Sequence, residues 1–241
     1  MEKTKEIKKN KAIRGGEFLV KETDFNDIFI PEEWNEEQRM IAQMCEDFMN
    51  SELFPIIDKI DSMKHPELMP KLMEKAGELG LLGLSVPEAY GGMGVDFKSS
   101  MLATEVLGGG YSFSVAYGAH TGIGTLPLLY YGNEEQKKRF IPKLATGEWK
   151  AAYCLTEPSS GSDANSGKSK AKLTDDGKHY IINGQKMWIT NGGFANLFTV
   201  FAKIGDDKNL TAFLVEADRD GITLNAEEKK MGIKGSSTRQ V

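Results

Sequence analysis

The hydrophobic pattern changes period near residue 150, and this change constrains the fold more than any other feature of the sequence. Before it, apolar residues recur at helical spacing. Met40, Met44 and Phe48 follow an Asn35/Gln38 capping-box pattern, and Leu72, Met73, Ala76 and Leu79 follow Pro70. The first helix is expected to run to about Leu53, before Pro55, and the second to stop at Gly80. The stretch LGLSVPEAYGGMG then reads as a loop. Phe97 to Leu107 is helical by period, and the Ala- and Gly-rich run from Ser114 to Tyr131 fits a buried central helix. Asn133 and Gln136 repeat the capping box, opening a helix that Pro142 should interrupt and that closes at Thr146-Gly147.

From Ala151 the period is two. The runs AAYCLT, SKAKLT, HYIINGQKMWIT, LFTVFAKI and LTAFLVEA are separated by Asp175-Asp176-Gly177, Asn183-Gly184 and Asp206-Asp207, where hairpins are expected. The expected fold class is therefore α+β, an all-α amino-terminal domain followed by an antiparallel β-barrel or sandwich. The last stretch, MGIKGSSTRQV, starts what reads as another strand and stops at Val241, so the barrel is expected to be incomplete and the chain a fragment. The expected layout is a flexible arm over 1–30, a helical domain over 31–150 and a β domain over 151–241.

Composition excludes several classes. A formal charge of −5 over 241 residues argues against a general nucleic-acid binder, which needs a concentrated basic surface. The lysines at 168–172 and 229–234 read either as solvated strand ends or as local holders of an acidic ligand. No apolar run approaches the roughly 20 residues of a transmembrane helix. The lysine-rich start lacks the apolar core of a secretory signal. Cys45 and Cys154 show no metal spacing and are too few for a disulfide framework, which fits a reducing compartment, the cytoplasm by default.

Two stretches carry candidate chemistry. In YCLTEPSSGSDANSG (153–167) a strand runs into a loop dense in hydroxyls and carboxylates. Gly161 would let backbone approach a ligand, Ser162 could donate to a phosphate, and Thr156 offers side-chain and main-chain contacts; an ordinary capped turn is the alternative. The run S-D-A-N-S-G-K-S (162–169) misses a Walker A loop by its first glycine, but it leads into a hairpin rather than a helix, which argues against triphosphate binding. In KMWITNGG (186–193) Trp188 is either a flat plate for a planar ring or a core residue, and Thr190 is a polar handle beside a turn.

Together with LGLSVPEAYGGMG, GAHTGIG, YGNEEQKKRFIPKLATGEW and KKMGIKGSSTRQV, in this order, these stretches resemble the acyl-CoA dehydrogenase family, in wording nearest the very-long-chain type and its bacterial relatives. The resemblance implies FAD as cofactor, with Tyr153, Cys154, Leu155, Thr156, Gly161, Ser162, Trp188, Ile189 and Thr190 beside it, and Ser162 also at the acyl-CoA substrate. It implies α,β-dehydrogenation of fatty acyl-CoA thioesters to trans-2-enoyl-CoA, as in fatty acid β-oxidation, with an electron-transfer flavoprotein as acceptor and a homo-oligomer as the complete enzyme. It places the catalytic base beyond Val241, so no catalytic residue and no metal ligand is expected here, and Glu157 is expected to be structural. Two other readings stay open: a non-catalytic module that pairs with a separate helical half, and an oxidase-type relative on the same fold.

Overall fold

The computed structural model describes residue 13 and residues 15–241. Residues 1–12 and 14 of the arm expected over 1–30 lie outside the described residues. The chain divides into two compact units, residues 1–41 and 42–241. In the first, single 3-10 turns at Gly15–Leu19, Phe25–Asp27 and Pro31–Glu33 precede the start of helix α1 (Glu36–Phe48). The predicted capping box opens that helix: Gln38 N donates to Asn35 Oδ1 at 2.8 Å, and Asn35 N to Gln38 Oε1 at 3.1 Å.

In the second unit α1 passes into a π turn at Met49–Leu53 and a 3-10 turn at Phe54–Ile56, where Pro55 cannot continue the α-helical ladder. Helices α2 (Ile57–Asp61) and α3 (Leu68–Glu78) follow. On α3, Leu72, Met73 and Ala76 are buried while Leu79 just beyond it is 44% exposed, so the stripe is one residue shorter than its period implied. Helix α4 (Phe97–Leu107) is capped by Asp96, whose carboxylate accepts Ser99 N at 2.8 Å.

The expected central helix is split into α5 (Ser112–Gly118), a π segment (Ala119–Gly124) and α6 (Leu126–Tyr131). Small residues and hydroxyls permit the wide turn. Thr121 Oγ1 donates to Tyr117 O at 2.9 Å and Thr125 Oγ1 to His120 O at 2.7 Å, occupying carbonyls near the break. Helix α7 (Glu134–Ala145) opens with the second capping box, and its course corrects the expected interruption at Pro142. Pro142 removes one N–H in the last turn, yet Phe140, Ile141, Leu144 and Ala145 are all buried, and Thr146 N donates to Pro142 O at 3.1 Å. Burial of that face outweighs one missing bond.

The strands are β1 (Ala151–Cys154), β2 (Lys170–Leu173), β3 (Tyr180–Asn183), β4 (Ile189–Thr190), β5 (Leu197–Ile204), β6 (Thr211–Glu216) and β7 (Thr238–Arg239). The α+β class is as expected, with helices before the strands, while the pairing is mixed rather than antiparallel throughout. Strand β5 runs parallel to β1 and to the start of β2, and antiparallel to β6. Strands β2 and β3 form a hairpin, and β4 pairs antiparallel with β7 in a separate ribbon, so the sheets do not close on themselves. The hairpin turn uses Gly177 at φ +67°, as the Asp-Asp-Gly signal implied.

Asn183-Gly184 is not a hairpin, since β3 and β4 belong to different sheets. Gly184 is required there for closeness instead. A Cβ on it would stand 2.1 Å from Ser169 Oγ.

Candidate functional site

Strand β1 enters the site from the core. Ala151, Ala152 and Cys154 are fully buried, and Tyr153 is half-buried with its ring 4.8 Å from that of Phe201. Burial pushes the Cys154 thiol up to about 12 against the opposing pull of Lys186, so it is protonated and unreactive at neutral pH. The strand start is fixed by the π segment. His120, wholly buried, accepts Ala151 N at Nδ1 (3.0 Å), which leaves Nε2–H to donate to Leu144 O (2.9 Å). Burial, offset in part by the Leu144 bond, lowers this imidazole to about 4, so it is neutral in the fold.

Past Cys154 the chain turns into the polar loop. Glu157 and Ser160 exchange main-chain bonds of 2.9 and 3.1 Å around an exposed Pro158-Ser159 tip, and Ser160 Oγ donates to Asp163 O at 2.8 Å. Gly161 and Ser162 are exposed, and a Cβ on Gly161 would meet nothing within 4 Å. The backbone here can be approached by a ligand.

The second stretch docks on the first. Met187 N donates to Thr156 O at 2.8 Å, and Lys186 Nζ to Leu155 O at 3.1 Å. Lys186 also exchanges main-chain bonds of 2.7 and 2.9 Å with Val241, which ties the ribbon β4–β7 to the same place. Trp188 follows at φ +57° with its side chain 62% exposed. The left-handed region costs a bulky residue on the order of 1–3 kcal/mol, and an apolar ring left in water gains nothing to offset it. The core reading of Trp188 is therefore set aside by its position. Ile189, 2% exposed, packs with Ala152, Cys154, Ala195 and Phe198. Thr190 is half-buried opposite Thr238.

Around the nine residues expected at the site, one main-chain bond, Met187 N to Thr156 O, and the Lys186 ammonium on Leu155 O bring the end of the first segment against the start of the second, and Gly161 and Ser162 lie on the loop that leaves this junction. Cys154 and Ile189 are buried as whole residues, so they back the ligand-facing groups rather than offer a ligand surface of their own. The others keep accessible surface: Tyr153, Leu155, Thr156, Gly161, Ser162, Trp188 and Thr190. These groups fit a large planar, phosphate-bearing molecule, with an exposed indole as plate, hydroxyls on both segments and an open glycine turn.

Two residues that hold the site escaped the sequence reading. Lys186 pairs with Glu157 at 2.7 Å, both nearly fully buried. Burial alone would raise the Glu157 carboxyl; the bonds from Lys186, Ser169 and Lys168 outweigh it and bring it to about 2. Asn191, buried at φ +64°, donates from Nδ2 to Ala116 O (2.9 Å) and Ala151 O (3.3 Å). The Asn-Gly pair signalled its backbone conformation, but nothing local signalled its partners.

The family model "Acyl-CoA dehydrogenase, N-terminal domain" matches residues 35–148, and "Acyl-CoA dehydrogenase, middle domain" matches residues 152–241. A probable acyl-CoA dehydrogenase of Bacillus subtilis is 50% identical over 94% of this chain and 38% of its own length. The very long-chain specific acyl-CoA dehydrogenase of Rattus norvegicus mitochondria is 46% identical over 68% of this chain and 26% of its own length. The crystal structure of an acyl-CoA dehydrogenase complexed with FAD from Bacillus anthracis superimposes with a TM-score of 0.90 at 49% identity, covering 95% of this chain and 39% of that one. The chain therefore spans well under half the length of these relatives. With two consecutive domain models matched in order and the fold shared, the chain belongs to the acyl-CoA dehydrogenase family through its N-terminal and middle domains.

Proposed function

We propose that this chain supplies the flavin- and thioester-binding part of an FAD-dependent enzyme that converts fatty acyl-CoA to trans-2-enoyl-CoA. The observation that carries the reading is Trp188, held exposed in left-handed backbone against the polar strand-loop. FAD, when bound, would supply the redox chemistry by taking hydride from the substrate β carbon. Trp188 and Thr190 would flank its ring system with Ile189 packed behind them, Tyr153, Leu155 and Thr156 would run along it with Cys154 beneath, and Gly161 and Ser162 would close the loop over it. Ser162 would also touch the acyl thioester.

Glu157, which stands at the start of this loop, is not suited to removing the substrate α proton. Glu157 is buried, held near a pKa of about 2 and fully engaged by Lys186 and two main-chain N–H groups, so it is a poor base at neutral pH. We assign the chain binding and orientation, with electrons passing from the complete enzyme, a homo-oligomer, to an electron-transfer flavoprotein in the cytoplasm. Among the described residues no helix is long and apolar enough to cross a membrane.

Titration of the purified 241-residue chain with FAD tests the reading. Saturable binding that shifts the flavin absorbance and quenches tryptophan emission is expected, with no turnover of acyl-CoA against a dye acceptor. Absence of FAD binding contradicts the cofactor assignment; dehydrogenation at the rate of a complete enzyme contradicts the assignment of binding and orientation alone.

A further inference from the structure

Glu157 and Lys186 stand 29 residues apart in sequence and form a buried ion pair at 2.7 Å at the junction of the two ligand-facing segments. Each does more than neutralise the other. The Glu157 carboxylate also accepts Lys168 N at 2.5 Å and Ser169 N at 3.1 Å, so it closes the base of the loop that carries Gly161 and Ser162. Lys186 reaches back to Leu155 O with its ammonium and pairs with Val241 through its main chain, two residues before Trp188. One pair of side chains therefore joins the exit of β1, both ends of the loop and the Trp188 turn, while the Lys186 main chain holds the β7 ribbon beside them.

We propose that Glu157 and Lys186 are positioning residues, a buried latch that holds the 157–169 loop and the Trp188 turn in one arrangement for the ligand. The physical argument is that the bonds within each segment shape it but, apart from Met187 N to Thr156 O, do not join it to the other. The loop offers its exposed tip few contacts, and Trp188 sits in backbone that an L-residue leaves when released. A charge pair enclosed by the fold and saturated with main-chain bonds is directional in a way that apolar packing is not, and it fixes the two segments relative to each other. Replacing both members by neutral residues of similar size removes the latch without leaving a buried charge, so the fold survives while the arrangement loosens.

The inference rests on the flavin reading for its purpose but not for its test. Amide hydrogen exchange is measured on the wild-type chain, on the double variant Glu157→Gln/Lys186→Met and on Glu157→Asp, whose carboxylate is one methylene too short to reach Lys186 and the Lys168 and Ser169 amides together. The double variant is expected to keep its far-UV circular dichroism and to exchange at least tenfold faster in two separated segments, 157–169 and 186–191, with β5, β6 and α7 unchanged. Glu157→Asp should show the same two-segment pattern at a few-fold increase, and it decides the matter if the double variant does not fold. Unchanged exchange in both segments, or acceleration spread evenly over the whole β half, overturns the latch. FAD titration of the same proteins provides the second arm. A wild-type chain that binds FAD and a folded double variant that binds at least tenfold more weakly support the latch, whereas equal affinities overturn it. A wild-type chain that binds no FAD refutes the flavin reading and leaves the exchange result to decide the latch by itself.

Discussion

The helical half and the β half both bury polar side chains, to opposite ends. His120 in the π segment is enclosed completely, and both of its ring nitrogens are consumed by main-chain groups of α7 and β1. Glu157 and Lys186 are enclosed as well, but the chain beside them leaves the core at once and presents Trp188 to solvent in left-handed backbone. The first arrangement serves only the architecture. The second has stabilising groups beneath and an unfavourable exposed group above, which is the pattern of a surface built for something else to cover. Burial of a polar group does not by itself mark a site; a buried polar anchor beside an exposed, strained aromatic does.

Removing the helical anchor should have the largest effect on stability. His120→Ala leaves Ala151 N and Leu144 O without partners in a dry interior and opens a cavity, and a loss of about 3 kcal/mol is expected. For a chain of this size that corresponds to a melting temperature lower by roughly 6–12 °C. Calorimetry checks it. A shift within a degree or two would show that the imidazole holds nothing.

The same residue predicts the acid dependence. Its folded pKa lies near 4, below the ordinary 6.5, so the unfolded chain takes up the proton first as pH falls. Its contribution is complete above about pH 6.5 and is lost as pH falls toward 4, reaching a loss of about 2 kcal/mol by pH 5. Urea unfolding at pH 7.5 and pH 5 should show that difference in the wild type and little of it in His120→Ala. The Glu157 contribution has the same direction but falls lower, present above about pH 4.5 and lost toward 2, so the two anchors separate on the pH axis.

A smaller effect concerns elements that need no distant partner. Asn133→Ala removes the side-chain acceptor for Gln136 N, a bond of 2.9 Å, and should cost about 1 kcal/mol by denaturant titration, with no change in FAD affinity. The smallest stability effect, and the one of opposite sign, belongs to the β half. Trp188→Gly relieves the positive φ and removes an exposed ring, so the ligand-free chain should become more stable by about 0.5–1 kcal/mol.

That ordering also explains what could be read from the sequence. Both capping boxes, the Phe97–Leu107 helix and the Asp-Asp-Gly hairpin were legible because each is decided within a few residues. Pro142 misled because the burial of the face around it outweighs its missing donor. The parallel pairings of β5 with β1 and β2, the loss of a hairpin at Asn183-Gly184, and the Glu157–Lys186 pair all depend on segments distant in sequence, for which a period of two carries no signal. At the site the motif order picked out two stretches that the fold brings together, whereas the exposure of Trp188 and the burial of Cys154 and Ile189 are set by tertiary packing.

The proposed function requires that Trp188 is held in an unfavourable state for the sake of a flavin. Its most direct test measures FAD affinity and denaturant stability together in the wild type and in Trp188→Gly. The account predicts that the variant binds FAD at least tenfold more weakly while its ligand-free stability is unchanged or higher. Equal FAD affinity in the two proteins would contradict it.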